Sequence, residues 1–418
     1  MINKTRLAER FRHMQTLTAP GKGINRLAFT DADWEGRAYL TSLMKEAGLS
    51  IHVDAFGNVI GHRKGADDSL PAVMCGSHGD SVPEGGNYDG VTGILGAIEV
   101  AQSMEDDHFQ NERPFEVVLF MSEESSRFSR ATLGSRAMRG EISDDDLHTY
   151  KDKQGESLYD VLKGRGLDPD HLADAVYKKP LAAFFEIHIE QGKVLEHEGL
   201  QIGVVTGIAA PTRLRLHLHG SADHSGATPM NLRHDGLAAA SEIILFVEKE
   251  ASAHKDPPVV GTVGTIQIHP NAMNVVPGEV EIGIDVRSID KKAKADTVAA
   301  ILKDAEEITK RRGISFDVEH LSDETPVPLR KEMVHFLESC CEENGYTYKA
   351  MPSGAGHDAM HWADYTPTGM LFLPCKNGVS HNPAEYADMD DITHTVKTLE
   401  TAIRKATEKS WKLEAMQN

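Results

Sequence analysis

Apolar and polar positions divide the chain into recognisable strands and helices. Residues 34–47, WEGRAYLTSLMKEA, place apolar side chains at helical spacing and stop before Gly48, which predicts a helix. IHVDAFGNVIGHR reads as two short strands around a Gly57–Asn58 turn. PAVMCGSH predicts a strand running into a loop, TGILGAIEVAQSM a helix starting just after Asp89–Gly90, and FEVVLFMS the next strand. Strand, loop, helix, strand is the pattern of a largely parallel sheet with helices on its faces. Residues 183–190 predict a further strand, with Glu186, His188 and Glu190 on one face opposite Phe185, Ile187 and Ile189.

From about residue 211 the texture changes. TRLRLHLHG, VVGTVGTIQIHP, EVEIGIDVRS and ISFDVEHL predict four strands, mostly polar at alternate positions. Long helices are predicted from about 235 to 249 and from about 291 to 309. This mixture suggests a separate α/β sandwich with one open sheet face. The helix KEMVHFLESCCEENG and the strand TGMLFLPC then return to the first texture. The expected fold is α/β: a mixed-sheet catalytic domain in two segments, 1–210 and 328–418, interrupted by a smaller inserted domain at 211–327. A length of 418 residues suits two such cores better than one.

Hydrophobic residues at 40% and charged residues at 26% describe a soluble globular chain. The 44 basic and 64 acidic residues give a formal charge of -20, which argues against nucleic acid or an anionic membrane as partner. MINKTRLAERFRHM contains no apolar h-region, so no secretory signal is expected. The longest apolar runs, about eight residues, are far short of a membrane span. The four cysteines form no CxxC pair, and Cys75 and Cys375 lie in strand-like runs as expected buried thiols. The expected location is a reducing cytoplasm.

The candidate chemistry sits at the ends of apolar runs: His78, Asp89, the pair Glu123–Glu124, His188 and His381. A lone histidine after a strand is ordinarily a satisfied core or surface group. Here Gly76, Gly79, Gly85, Gly86 and Gly90 strip side chains from the window holding His78, Asp80 and Asp89, which allows close approach to something bound. An ordinary glycine-rich acidic loop stays open as a reading of that window alone. Two adjacent carboxylates divide labour well beside a metal, one coordinating and one moving protons. Glu186 or Glu190 is a candidate to orient the His188 imidazole. Three ligands satisfy one catalytic zinc, so three histidines with Asp89 and Glu124 imply two metals sharing a carboxylate.

The chain resembles the zinc-dependent aminoacylase and carboxypeptidase G2 superfamily. Within it, the closer resemblance is to the amidase, hydantoinase and carbamoylase branch. The resemblance spans nearly the whole chain: NRLAFT, DAFGNVIG, GSHGDSVPEGGNYDGVTGILGAIE, SEESSRF, LGSR, EIHIEQG, GSADHSGATPM, NAMNVVPG, DVRS, SGAGHDAM and VSHNPAE. It implies that His78, Asp89, Glu124, His188 and His381 are metal ligands, with Asp89 bridging and Glu123 the general base. Two divalent ions per subunit are implied, zinc first, with manganese, cobalt or nickel suiting the same donors. It also implies a homodimer through the smaller lid domain. Ser125 stands where the branch commonly has glycine after the two glutamates.

By the same resemblance, substrate-binding residues are His224, Asn274 and Arg287 from the lid, with Gln191 and the Gly354–Ala355–Gly356 segment from the large domain. His224 is expected to reach the neighbouring subunit's site and hold the developing oxyanion. Each has a plainer reading: Arg287 as an ion pair with Asp285, Asn274 as a turn residue, His224 as a cap on its own loop. The implied activity is hydrolysis of an N-carbamoyl-L-amino acid. Allantoate hydrolysis is the near rival, followed by ureidopropionate or N-acyl amino-acid hydrolysis. A catalytically silent small-molecule-binding protein is the alternative of another class; it would be favoured by loss of Glu123, which is present.

Overall fold

The first turn is built by Asp54, whose Oδ1 accepts the backbone N–H groups of Phe56, Gly57 and Asn58 at 2.9, 2.8 and 2.9 Å. Gly57 takes φ 103° there, a conformation other residues rarely adopt. The computed structural model describes residues 1–413. Its strands, in chain order, are β1 (Ser50–Val53), β2 (Val59–Arg63), β3 (Ala72–His78), β4 (Phe115–Phe120), β5 (Leu181–Ile189), β6 (Ile202–Ile208) and β7 (Ala210–His219). They continue with β8 (Val259–His269), β9 (Glu279–Ser288), β10 (Ser315–Asp323), β11 (Val327–Pro328), β12 (Tyr348–Ser353) and β13 (Thr368–Leu373).

The chain forms two units. The first holds Met1–Thr206, Leu329–Met351 and the residues from His357 onward. Its sheet runs β1-β2-β4-β3-β5-β13-β6, with β12 beside β6. The centre, β4-β3-β5-β13, is parallel, whereas β2 and β6 join antiparallel, so the sheet is mixed. Every residue of β3, β4 and β13 is buried, which is why these strands read as continuous apolar runs. Helices Lys4–Thr16, Asp31–Glu46, Val91–Asp106, Lys331–Glu343 and Met389–Ala406 contribute Phe11, Leu40, Ile98, Leu337 and Val396 to one core with Val73, Val117, Ile187 and Leu371. A smaller apolar cluster gathers Phe56, Met121, Phe128, Leu133, Leu147 and Val161. Gly76 is required where β3 meets β4: a Cβ there would lie 1.9 Å from Val118 O.

The second unit holds Gly207–Pro328 and Pro352–Gly356. It therefore starts a few residues before 211 and also captures a segment of the later chain. Its four-stranded antiparallel sheet runs β10-β7-β9-β8. Helices Gly236–Ala253 and Lys291–Arg312 pack Ile243, Val247, Ile301 and Ile308 against Leu214, Leu216, Ile282 and Ile284. The other face carries charge: Arg213 pairs with Asp285 at 2.9 Å, Arg215 with Glu281 at 3.1 Å, and His219 with Glu279 at 2.6 Å. Polar alternate positions thus mark an uncovered face, as expected for a sheet with helices on one side only.

No helix among the described residues is long and apolar enough to cross a membrane. All four cysteines are buried free thiols. Strands β6 and β12, the N-terminal helix and the short helices between 133 and 175 extend the elements expected from sequence.

Candidate metal centre

Parallel pairing fixes where the chemistry collects. His78 lies opposite Phe120, so β3 and β4 end together, and His188 lies opposite Phe372 on the neighbouring β5 and β13. Glu123 and Glu124 follow β4 within four residues, and His381 lies in the loop after β13. Asp89 precedes helix Val91–Asp106, displayed by Gly90 at φ 63°. These side chains therefore meet beyond the C-terminal edge of one set of parallel strands, where open α/β sheets carry their ligands.

Two triads of donors result. His78, Asp89 and His188 form one, and Asp89, Glu124 and His381 the other, the donor atoms of each lying within 4.8 Å of one another. Asp89 turns a different oxygen to each triad. Its Oδ1 is 3.5 Å from His78 Nε2 and 2.8 Å from His188 Nε2, while its Oδ2 is 2.9 Å from His381 Nε2. Glu124 Oε1 lies 3.2 Å from the same His381 nitrogen. Glu123, outside both triads, places Oε2 3.8 Å from His78 Nε2.

The imidazoles are oriented by their other nitrogens. His78 Nδ1 donates to Asp80 O at 3.1 Å and His188 Nδ1 to Ile189 O at 2.9 Å, leaving both Nε2 atoms facing the triad. Neither Glu186 nor Glu190 bonds His188, contrary to the sequence expectation. Glu186 instead accepts from Ser77 Oγ at 2.7 Å and Ala359 N at 2.9 Å, and Glu190 from the N–H groups of Val194 and Leu195. Asp80, unassigned from sequence, accepts the backbone N–H of Glu123 at 3.2 Å and of Glu124 at 3.1 Å. Ser122, Gln191 and His381 all hold positive φ, a local strain that clusters at this edge.

The site is acidic and buried. Burial, followed by the opposing His78 and the reinforcing Glu124 charge, leaves the Glu123 carboxyl well above its ordinary pKa. Burial acts the same way on Asp89, but His188, His381 and His78 outweigh it and hold that carboxyl well below the usual range. Hydrogen bonding to Asp89 and then Glu124 pushes His381 up to about 11. Among the described residues no lysine or arginine nitrogen comes within 4.0 Å of Asp89, Glu123 or Glu124. Such a carboxylate cluster calls for cationic compensation, and three imidazoles with two carboxylates are donors that divalent transition ions accept. The residues present fit a binuclear divalent-metal centre with Asp89 shared.

His357, ring centroid 4.5 Å from that of His188, joins neither triad. Gln191 does reach the centre, its Nε2 donating to Asp89 Oδ2 at 3.0 Å and to Ser380 Oγ at 3.1 Å. Ser125 O accepts Ser129 N at 2.8 Å, tightening the turn after the glutamates.

The remaining sequence candidates belong to the second unit. Arg287 is held by Asp285 through Nε at 2.7 Å and Nη2 at 3.2 Å, and its Nη1 donates to Gly354 O at 2.9 Å. The Gly354–Gly356 segment was expected in the large domain. That bond, and Ala209 N donating at 2.8 Å to the O of the preceding Ser353, join residues 352–356 to the second unit instead. His224 and Asn274 are neighbours through the bridge of His224 with Val275 and the Ser225 N to Asn274 O bond of 3.0 Å. His224 Nδ1 accepts from Gly226 N at 3.1 Å and Ala227 N at 3.2 Å. The loop-capping reading is thus present, and it leaves the neutral ring's proton on Nε2.

Residues 74–405 match the model of peptidase family M20/M25/M40. The chain belongs to this family. Among its relatives, an N-carbamoyl-L-amino acid amidohydrolase of Geobacillus stearothermophilus is 39% identical over 394 residues, covering 94% of this chain and 95% of that one. A ureidoglycolate hydrolase of Oryza sativa is also 39% identical, over 93% of this chain and 81% of that one. The crystal structure of an amidase of the hydantoinase/carbamoylase family from Burkholderia multivorans superposes with a TM-score of 0.91 at 35% identity. It covers 97% of this chain and 98% of that one. These likenesses place the M20 chain in the hydantoinase/carbamoylase branch as a metal-dependent hydrolase.

Proposed function

We propose that this protein hydrolyses the ureido C–N bond of an N-carbamoyl-L-amino acid, releasing the L-amino acid, ammonia and carbon dioxide. The observation that carries the reading is the pair of triads sharing Asp89, with Glu123 beside them but outside both. Likeness to the Geobacillus amidohydrolase supports the substrate. The equal identity to the Oryza ureidoglycolate hydrolase favours, as second reading, another ureido acid such as ureidoglycolate or allantoate.

His78, Asp89 and His188 would hold one divalent ion, and Asp89, Glu124 and His381 the other, zinc being the first choice. When bound, such ions polarise a carbonyl and acidify water. Glu123 takes the proton of the attacking water and returns it to the leaving nitrogen, as a carboxylate beside but outside both triads can. Arg287, braced by Asp285, keeps an N–H face for the substrate carboxylate, and Asn274 adds an amide. His224, with Nδ1 occupied by backbone donors, offers Nε2–H to the developing oxyanion. In this reading the protein is a cytoplasmic homodimer, His224 serves the partner's site, and Gln191 and Gly356 complete the substrate contacts.

The test is ammonia release by metal-loaded protein from a panel of N-carbamoyl-L- and D-amino acids, allantoate, ureidoglycolate, ureidopropionate and N-acetyl amino acids. The highest kcat/KM is expected with an N-carbamoyl-L-amino acid. Preference for ureidoglycolate or allantoate selects the second reading, and inactivity on the whole panel overturns both.

A further inference from the structure

Glu385 is a buried carboxylate with no lysine or arginine partner among the described residues. Its Oε1 accepts two adjacent backbone N–H groups, from Tyr88 at 2.9 Å and from Asp89 at 3.0 Å. Its Oε2 accepts Ser380 Oγ–H at 3.0 Å. Ser380 precedes His381, and its Oγ also lies 3.3 Å from Asp89 Oδ2, while Gln191 Nε2 donates to that same hydroxyl. Glu385 thus grips the peptide of one ligand with one oxygen and the residue beside another ligand with the other. The local sequence leaves room for this: a Cβ on Gly86 would lie 2.2 Å from Glu385 Cδ and Oε1.

The two triads differ in what supports them. His78 and His188 stand on buried strands β3 and β5, whose ladders fix their backbones. His381 lies outside any strand or helix, half exposed, with φ 53°. A left-handed conformation in a non-glycine residue persists when its surroundings enforce it. His381 itself meets Asp89 and Glu124, and the contacts of the preceding Ser380 with Glu385, Gln191 and Asp89 hold the chain on its N-terminal side. A buried carboxylate costs free energy unless its hydrogen bonds are made, and these three tie the Asp89 loop to the His381 loop.

We infer that Glu385 is a positioning residue that sets the spacing of Asp89 and His381, and so governs metal affinity at the Asp89/Glu124/His381 triad more than at the His78/Asp89/His188 triad. The inference rests on the binuclear reading of the site. Glutamine at this position keeps one acceptor for the Tyr88 and Asp89 N–H groups and can donate to Ser380 Oγ. It therefore preserves the spacing, whereas alanine abolishes it.

The test is titration of chelator-stripped full-length protein with Co²⁺, followed by calorimetry and the visible spectrum of bound cobalt. Wild type should take up two equivalents; fewer at saturation would refute the binuclear reading itself, whatever Glu385 does. Given two, Glu385→Ala should bind one equivalent with unchanged affinity and the second at least about 10-fold more weakly, as loss of an outer partner of a metal ligand commonly does. Glu385→Gln should restore the second site to within about threefold. Ser380→Ala, a milder change, should weaken the second equivalent alone and decides the matter if Glu385→Ala does not fold. Two unchanged affinities in Ser380→Ala and in any folded Glu385→Ala protein, or equal weakening of both sites, would overturn the inference.

Discussion

Asp80 Oδ1 accepts the backbone N–H of Glu123 at 3.2 Å, which hangs the proposed proton carrier from the loop that follows His78. Since that bond is made to the backbone of Glu123, the side chain can be changed without disturbing it. Glu123→Gln should therefore keep the fold and both metals while lowering kcat by at least about 10²-fold, within the usual reach of general acid–base catalysis. Turnover near that of wild type would remove Glu123 from the chemistry. Loss of one metal equivalent would exchange its role with that of Glu124.

Gly90 allows a direct test of the first triad. Its φ of 63° disfavours any side chain, and a Cβ there would lie 2.3 Å from His78 Cε1. Gly90→Ala should fold yet displace the imidazole, weakening metal binding by about tenfold or more. Metal titration of the stripped variant, with circular dichroism as the fold control, measures this. Wild-type affinity would show that His78 does not need its present position to serve as a donor.

His78, His188 and the Glu123–Glu124 pair were legible because they stand at or just beyond the ends of the buried strands Ala72–His78, Leu181–Ile189 and Phe115–Phe120, whereas Asp89 stood out through its glycine-rich loop. The alternation of Leu214, Leu216 and Leu218 with charged neighbours likewise exposed the one-sided sheet. The partners of the ligands were not legible. Asp80 and Glu385 act on backbone N–H groups, and Glu385 lies 296 residues from the Asp89 peptide it holds. Side-chain pattern carries no record of such bonds. Strand β12 was hidden because only Met351 and Ser353 of its six residues are buried, and β6 because Gly203 and Gly207 interrupt its apolar run. Gly354–Gly356 was assigned to the large domain by resemblance, whereas Gly354 O accepts from Arg287 and the preceding Ser353 O from Ala209 N.

Arg287 distinguishes a structural ion pair from a substrate contact. Its bidentate hold on Asp285 lies on the sheet surface, so Arg287→Ala removes that ion pair whatever the substrate. A carboxylate contact adds a penalty that depends on the substrate. For an N-carbamoyl amino acid kcat/KM should fall by roughly 30-fold or more, equivalent to about 2 kcal/mol. The corresponding neutral amide should lose far less. Equal losses for acid and amide would make the arginine purely structural.

Subunit exchange tests the placement of His224. His224→Ala and Glu123→Gln should each be nearly inactive. If each site borrows His224 from its partner, a mixed dimer contains one site lacking both groups and one site with both intact. Mixing the two variants should then restore partial activity, up to about a quarter of wild type for random pairing. Absence of recovery despite demonstrated exchange would place His224 in its own subunit's site or outside catalysis.

Asp33 provides a pH signature outside the two donor triads. It lies in the first turn of helix Asp31–Glu46, fully buried, with Oδ2 accepting Phe29 N at 2.8 Å and Oδ1 without a partner. Burial, partly offset by Arg37, raises its carboxyl from 3.8 to about 6. A carboxyl that binds its proton more tightly when folded stabilises the fold progressively as pH falls through the folded value, with the gain complete below the unfolded one. The window is therefore about pH 6 down to pH 4, and the shift corresponds to at most about 3 kcal/mol. Asp33→Asn has no such proton, so wild type should gain stability relative to the variant as pH drops from 7 to 4. Thermal midpoints of the two proteins measured in parallel isolate this term, because all other titrating groups are common to both. A difference that stays constant across that range would mean that Asp33 is already neutral at pH 7 or remains charged at pH 4.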